Sequence, residues 1–282
     1  MVLRAADRTI EFCRPLIMGI LNLNADSFFE GSRVEDTDAL VERAAMMIEQ
    51  GASILDVGAM SSRPGATEIS HQEELDRLIP AIKVLRSTFP GVILSSDTYR
   101  SEVARAALEA GAHIINDITG GAADNKMFAV ISEFKAACIL MHMQGTPATM
   151  QNNPQYHDVV GEVKAFLVSQ AAKAARYDIG TIIIDPGIGF GKTVEHNYQL
   201  LGNLSDFCDT GYPVMVGVSR KSLINKMLGT LPAGALNGTT VLHTIALLNG
   251  AAFLRVHDVK EAVETVILVE KFLVSNNKTL SL

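Results

Sequence analysis

The chain has 282 residues, 48% of them hydrophobic and 20% charged, and a formal net charge of −7. That size suits one large α/β domain or two small ones, and the acidic balance argues against a broad nucleic-acid footprint. No apolar run approaches the roughly 20 residues that span a membrane.

Three cysteines, Cys13, Cys138 and Cys208, lie far apart with no CxxC spacing, the usage of a reduced, cytoplasmic protein. The first residues carry Asp7, Arg8 and Glu11 and lack the apolar core of a signal peptide. Residues 1–14 read as an N-terminal extension or small ribbon, 15–275 as the main domain, and 276–282 as a tail. Strand-like runs then recur at 16–22, 53–58, 92–97, 113–118, 137–143, 181–185, 213–219 and 252–257. Between them the apolar spacing predicts helices over 36–50, 71–88, 100–109, 125–134, 158–177, 195–208, 221–228 and 239–248, with a last helix over 258–274. Several stop at a glycine, as Gly51, Gly111 and Gly180 do after their helices. Eight strands alternating with helices suit a single-domain (β/α)8 TIM barrel of about 250 residues. A doubly wound open sheet is the alternative, but it asks for a phosphate fingerprint after the first strand, which Leu21–Asp26 does not supply.

The run 181–192, TIIIDPGIGFGK, is the most informative stretch. Its β-branched residues read as a strand covered on both faces, ended by Pro186, which has no ladder donor. Gly187, Gly189 and Gly191 follow. A phosphate loop is excluded because Pro186 stands where it needs glycine, and a dinucleotide fingerprint because Lys192 does. Asp185 is thus either a helix cap or a group that holds a small polar molecule.

A barrel places function at the C-terminal ends of its strands. Those ends carry Asn22, Asp56, Asp97, Asn116, Asp117, His142, Asp185, Ser219, Arg220, Lys221, Arg255 and His257. A helix cap explains any one of them, but not polar groups at nearly every end. Asp97, Asn116 and Asp185 offer acceptors suited to a flat, guanidine-like edge of N–H groups, and Lys221 can reach a carbonyl or ring nitrogen beside it. Arg63, Lys221, Arg255 and His257 supply the basic arc expected of a phosphate site. Asn22 offers an amide oxygen suited to Mg²⁺, unless it is simply a turn residue. Asp117 faces the helices, Arg220 points outward and His142 lines the barrel. No Ser-His-Asp order or metal cluster appears. An anion clamp beside a flat polar pocket suggests group transfer away from a diphosphate.

Eight motifs carry a closer resemblance. They are MGILN (18–22) with Asp26, Ser27 and Phe28, SSRPGA (61–66), SSDT (95–98), HIINDI (113–118), LMHMQGTPATMQ (140–151), DPGIGFGK (185–192), SRKS (219–222) and RVHDV (255–259). In order and spacing, from about residue 15 to 270, they resemble dihydropteroate synthase. The resemblance implies a barrel transferase of folate biosynthesis and a sulfonamide target. It would condense 6-hydroxymethyl-7,8-dihydropterin pyrophosphate with 4-aminobenzoate, giving 7,8-dihydropteroate and pyrophosphate, with Mg²⁺ as cofactor. By position it makes Asp97, Asn116, Asp185 and Lys221 the pterin contacts, lined by Ile118, Met141, Phe190 and Gly217. Ser62, Arg63, Arg255 and His257 become the pyrophosphate end, with Asn22 on the metal. Ser222, Lys221, Pro64 and Phe190 become the aminobenzoate side. Asp97, Lys221 and Arg255 are the catalytic expectations, and the partners are these small molecules and a second copy in a homodimer, with neither nucleic acid nor membrane.

Two loops depart from the family pattern. Leu23-Asn24-Ala25 replaces Val-Thr-Pro, and Ala59-Met60-Ser61-Ser62 replaces Gly-Glu-Ser-Thr. Losing the proline makes the first loop costlier to order. Alternatives are a pterin-binding paralogue with lost or altered catalysis, and a pterin-dependent methyltransferase, which has no use for the basic arc.

Overall fold

Strands of near-continuous Ile, Val and Leu require cover on both faces, and a closed parallel barrel wrapped in helices provides it. The computed structural model describes residues 1–23, 33–60 and 68–276. A hairpin comes first, β1 (Val2–Ala5) and β2 (Arg8–Glu11), paired antiparallel. The barrel follows: β3 (Leu16–Asn22), α1 (Arg33–Glu49), β4 (Ile54–Gly58), α2 (His71–Thr88), β5 (Ile93–Asp97), α3 (Ser101–Glu109), β6 (Ile114–Asp117), α4 (Met127–Glu133), β7 (Ala137–Met141), α5 (Val159–Ala174), β8 (Ile182–Asp185), α6 (Val194–Gly202), α7 (Ser205–Cys208), β9 (Met215–Val216), α8 (Ser222–Leu228), α9 (Leu236–Leu248), β10 (Phe253–Val256) and α10 (Val259–Ser275). The sheet runs β8-β7-β6-β5-β4-β3-β10-β9, all neighbours parallel. An isolated parallel bridge from Ile184 to Val214 joins its two edges. The expected (β/α)8 barrel is the observed architecture.

Alternation along each strand sorts side chains into two cores. One face lies under the helices, with Leu55, Leu94, Ile115, Cys138, Leu140 and Ile184 among its residues. The other fills the barrel. Its lower layer is apolar, built from Met18, Ile54, Ile93, Ile114, Ile183 and Phe253. Leu3, Ala5 and Phe12 join that cluster, so the hairpin plugs the barrel floor. Two residues further along the same inward faces, the polar strand ends begin.

Two elements differ from expectation. The helix read over 195–208 is two, because α6 ends at Asn203, whose side chain donates to the Gln199 carbonyl. The strand read over 213–219 shrinks to Met215–Val216. Pro213 lacks a ladder donor, and at the far end the Lys221 amide donates to the Val218 carbonyl to form a turn. No helix among the described residues is long and apolar enough to cross a membrane.

Candidate active site

The strand ends converge on one mouth, and Arg255 at the end of β10 stands in the middle of it. Its Nε donates to Asp56 Oδ2 at 2.6 Å and its Nη2 to Asp97 Oδ2 at 2.8 Å. Asn116 Nδ2 donates to the same Asp56 oxygen at 3.1 Å. The parallel register accounts for this meeting. Gly58, Asp97 and Asn116 are cross-strand neighbours at one level, while Asp56 lies two residues deeper, opposite Ser95. Gly58 has to be small there, since a Cβ would stand 3.2 Å from that of Asp97.

Among the described residues, neither Asp97 nor Asp185 caps a helix. The first turn of α3 is instead met by Asp124, which accepts from the Ser101 amide at 2.8 Å. Asp185 accepts from the Gly187 amide at 2.7 Å, a turn bond that Gly187 permits with φ of 69°. The next helix, α6, is capped by Thr193 and His196.

On the β9 side of Arg255, Lys221 lies with its Nζ 4.5 Å from the centre of the Phe190 ring and donates to the Ile188 carbonyl. Gly217 sits beside both cations: a Cβ there would be 3.6 Å from Lys221 Nζ and 3.8 Å from Arg255 Cβ. Ile118, Met141 and Phe190 cluster with Met150 as an apolar wall. His257 shares a hydrogen bond with Ser219 Oγ through Nδ1 at 3.1 Å. Ser222 opens α8 directly after Lys221. Asn22 ends β3, half-buried, paired in register with Gly58. The strand ends therefore bring Asp97, Asn116, Asp185, Lys221 and Arg255 together, with Ile118, Met141, Phe190, Gly217 and His257 around them. Ser62, Arg63 and Pro64 lie outside the described residues, as do Asp26, Ser27 and Phe28 and the tail beyond Asn276.

A cavity of about 470 Å³ opens on one shoulder of the mouth, between Met60, Asp97, Tyr99, Ile118, Met143 and Pro147. Behind it, Arg100 pairs with fully buried Glu74 at 2.7 Å and with Glu68 at 2.7 Å, and Tyr99 donates to Glu68. This frame holds the backbone that follows Asp97.

Burial governs the charges. It pushes the Asp97 carboxyl up to about 7 against the pull of Arg255, with Asp56, Glu74 and Asp117 adding to the rise. Burial also raises Asp185, opposed by Lys221 and the Gly187 amide. Lys221 is drawn down to about 8 by burial, while Asp185 favours its charged form. His257 is held down near 4, first by burial and then by Arg255.

Three strand-end residues serve structure. Asp117, as expected, faces the helices and accepts from the Thr119 and Gly121 amides. Arg220 points away from the mouth and forks onto Asp258. His142 corrects the sequence reading. It does not line the barrel, because alternation puts Met141 inward and turns His142 against Phe166, ring centres 5.0 Å apart. There it meets Lys192, whose buried Nζ lies 2.9–3.2 Å from the carbonyls of His142, Gly187 and Phe190 and 3.0 Å from His142 Nδ1. Lys192 is the internal tie of the glycine turn that presents Asp185 and Phe190. Sequence reasoning gave no role to Lys192 or to Asp56. The signal for Asp56 was the two-residue period of β4, which puts it on the same inward face as Gly58.

The family model "Pterin binding enzyme" matches residues 18–257. The dihydropteroate synthase of Escherichia coli K12 is 42% identical over 272 residues, covering 96% of each chain. The crystal structure of the Yersinia pestis dihydropteroate synthase with a sulfonamide drug superposes with a TM-score of 0.89 at 38% identity, covering 96% of this chain and 99% of that one. The Thermus thermophilus dihydropteroate synthase with 4-aminobenzoate gives 0.87 at 39% identity, with 96% and 99% coverage. A motif-bearing mouth on a matching barrel, over nearly the whole length of such relatives, leads to one conclusion: the chain belongs to the pterin-binding enzyme family, among its dihydropteroate synthases.

Proposed function

We propose that this transferase of folate synthesis joins 6-hydroxymethyl-7,8-dihydropterin pyrophosphate to 4-aminobenzoate at the mouth built around Arg255. One observation carries the assignment to this site. The acceptors Asp97, Asn116 and Asp185 form one arc and the donors Lys221 and Arg255 the next, so a flat heterocycle with several N–H groups and an anionic tail finds a complement for each end.

In this reading the pterin edge donates to Asp97, Asn116 and Asp185, its carbonyl accepts from Lys221, and Ile118, Met141 and Phe190 cover its faces. Arg255 and His257, with Ser62 and Arg63 of the second loop, take the diphosphate. Ser222, Pro64, Lys221 and Phe190 border the aminobenzoate. Catalysis is then orientation and electrostatics. The bond between the pterin methylene carbon and the diphosphate oxygen breaks, and its electrons leave with the diphosphate. Ionised Asp97 stabilises the positive charge left on the pterin methylene. The aniline nitrogen attacks that carbon and sheds a proton. Asn22 offers the hard oxygen donor that Mg²⁺ prefers, one ligand beside substrate phosphates. The ion would supply neutralisation of the leaving diphosphate.

A homodimer is supported by an apolar surface on the last helices. Val241, Ile245 and Leu248 on α9 and Ile267, Leu268 and Phe272 on α10 are exposed at helical spacing. Sulfonamides, as aminobenzoate mimics, should compete at the same mouth. The experiment is steady-state pyrophosphate release: it should require both substrates, and release indifferent to aminobenzoate would overturn the assignment.

A further inference from the structure

Asp56 is fully buried at a level of the barrel where its cross-strand line reads Ser95 and Ile114. A carboxylate there is a poor choice for packing alone. Its Oδ1, like Ser95 Oγ, is buried without a hydrogen-bond partner among the described residues, and an apolar residue of similar volume would avoid that desolvation. Its Oδ2 is used twice, by Arg255 Nε and by Asn116 Nδ2. That oxygen accepts from the Arg255 Nε–H, so the atom of Asn116 that faces it has to be the NH₂. The Asn116 oxygen is thereby turned away from Asp56, which lies one layer deeper. The same contact fixes the guanidinium of Arg255 so that its other edge meets Asp97.

We propose that Asp56 is a positioning residue for the reaction, setting the hydrogen-bond polarity of the pterin pocket by holding the Asn116 amide as an acceptor toward the ligand and Arg255 between the two carboxylates. This rests on the reading of the mouth as the pterin site. It accounts for an acidic group beneath the site whose side-chain partners are Asn116 and Arg255. Without it, the amide turns freely and offers the ligand a donor as often as an acceptor, while Arg255 keeps only one of its two anchors. Aminobenzoate, bound on the Phe190 side, is indifferent to both changes.

The test compares Asp56→Ala and Asp56→Asn with the parent by calorimetric titration of 6-hydroxymethyl-7,8-dihydropterin pyrophosphate and by the KM for 4-aminobenzoate at saturating pterin. In D56A the pterin affinity should fall about 10- to 100-fold, the span of a lost charged hydrogen-bond partner, while the aminobenzoate KM stays within about twofold. D56N keeps an acceptor oxygen for Asn116 and Arg255, so it should recover part of the loss. Equal losses for both substrates, or D56N no better than D56A, would reduce Asp56 to a packing residue. Should D56A not fold, D56N decides alone: pterin affinity down at least about threefold with aminobenzoate unmoved supports the proposal, and any other pattern overturns it. The side-chain amide signals of Asn116 in ligand-free protein read the same hold without substrate. They should be protected from exchange in the parent, exposed in D56A and partly protected in D56N, and equal protection in the parent and D56A would contradict the proposal. Failure of the parent itself to bind the pterin would count against the function assigned to the mouth, and the amide signals would still judge Asp56.

Discussion

Replacing Arg255 by alanine removes the shared cation of two carboxylates. Asp56 is fully buried and Asp97 nearly so, and each lies within 2.8 Å of the guanidinium. Deleting one partner of a buried pair costs about 3–5 kcal/mol, because the other charge is left uncompensated. Here one deletion strands two charges, so the upper end, about 5 kcal/mol, applies where both are ionised. Unfolding entropy runs near 2.1 cal/mol/K per residue, so each kcal/mol moves the midpoint of a chain this long by about 2 °C, and R255A should melt lower by up to about 10 °C at pH 8. The deficit should shrink as pH falls. Asp97 already sits near 7 with Arg255 in place, and losing that pull raises it further, so protons relieve the stranded charge earlier in the variant than in the parent. Scanning calorimetry of both proteins from about pH 5.5 to 8 reads this directly. An R255A midpoint within about 2 °C of the parent at pH 8, or a deficit independent of pH, would refute the reasoning.

Other consequences are separable. Asp185→Ala should weaken pterin pyrophosphate by about 2 kcal/mol, roughly 30-fold in Kd, since a buried charged acceptor is lost; calorimetry giving an unchanged Kd would remove Asp185 from the pocket. The rate constant kcat/KM for the pterin substrate should rise as pH passes about 7, where Asp97 ionises, and decline above about 8, where Lys221 loses its proton. Asp97→Asn should abolish the rising limb, and a parent profile flat over that range would disconnect both groups from the chemistry. For stability the sign is opposite, because an Asp97 held above its ordinary 3.8 binds its proton more tightly folded than unfolded, so this group stabilises the fold as pH drops from about 7 towards 4. Lys192→Met should leave three carbonyls of the glycine turn without their donor, lowering stability by about 2–4 kcal/mol and loosening the Phe190 wall. Denaturant unfolding that finds no loss would mean that the tie carries no load.

Much of the barrel could be read from residues alone, because its strands are short apolar runs punctuated by glycine, and Leu16–Asn22 and His71–Thr88 were bounded as observed. Asp97, Asn116 and Asp185 were legible as a set because each ends an apolar run where a barrel opens. Asp56 was visible as a polar strand end, but its role was not, since that role exists only through Arg255, 199 residues away. His142 misled because a two-residue period, not its polarity, decides which way it faces. The break after Gly202 was hidden inside a continuous helical pattern, where Asn203 gave only a weak stop signal. The family resemblance added what residue chemistry leaves open, namely which flat heterocycle and which leaving group to expect.

The most direct test of the central claim is calorimetry of 6-hydroxymethyl-7,8-dihydropterin pyrophosphate on the parent and on Asn116→Ala, followed in the same preparation by 4-aminobenzoate and product analysis. Tight binding by the parent, a loss in N116A and appearance of 7,8-dihydropteroate with one pyrophosphate per turnover are predicted. Tight binding in both proteins, or pyrophosphate without pteroate, would contradict a mouth that grips a pterin and its departing diphosphate together.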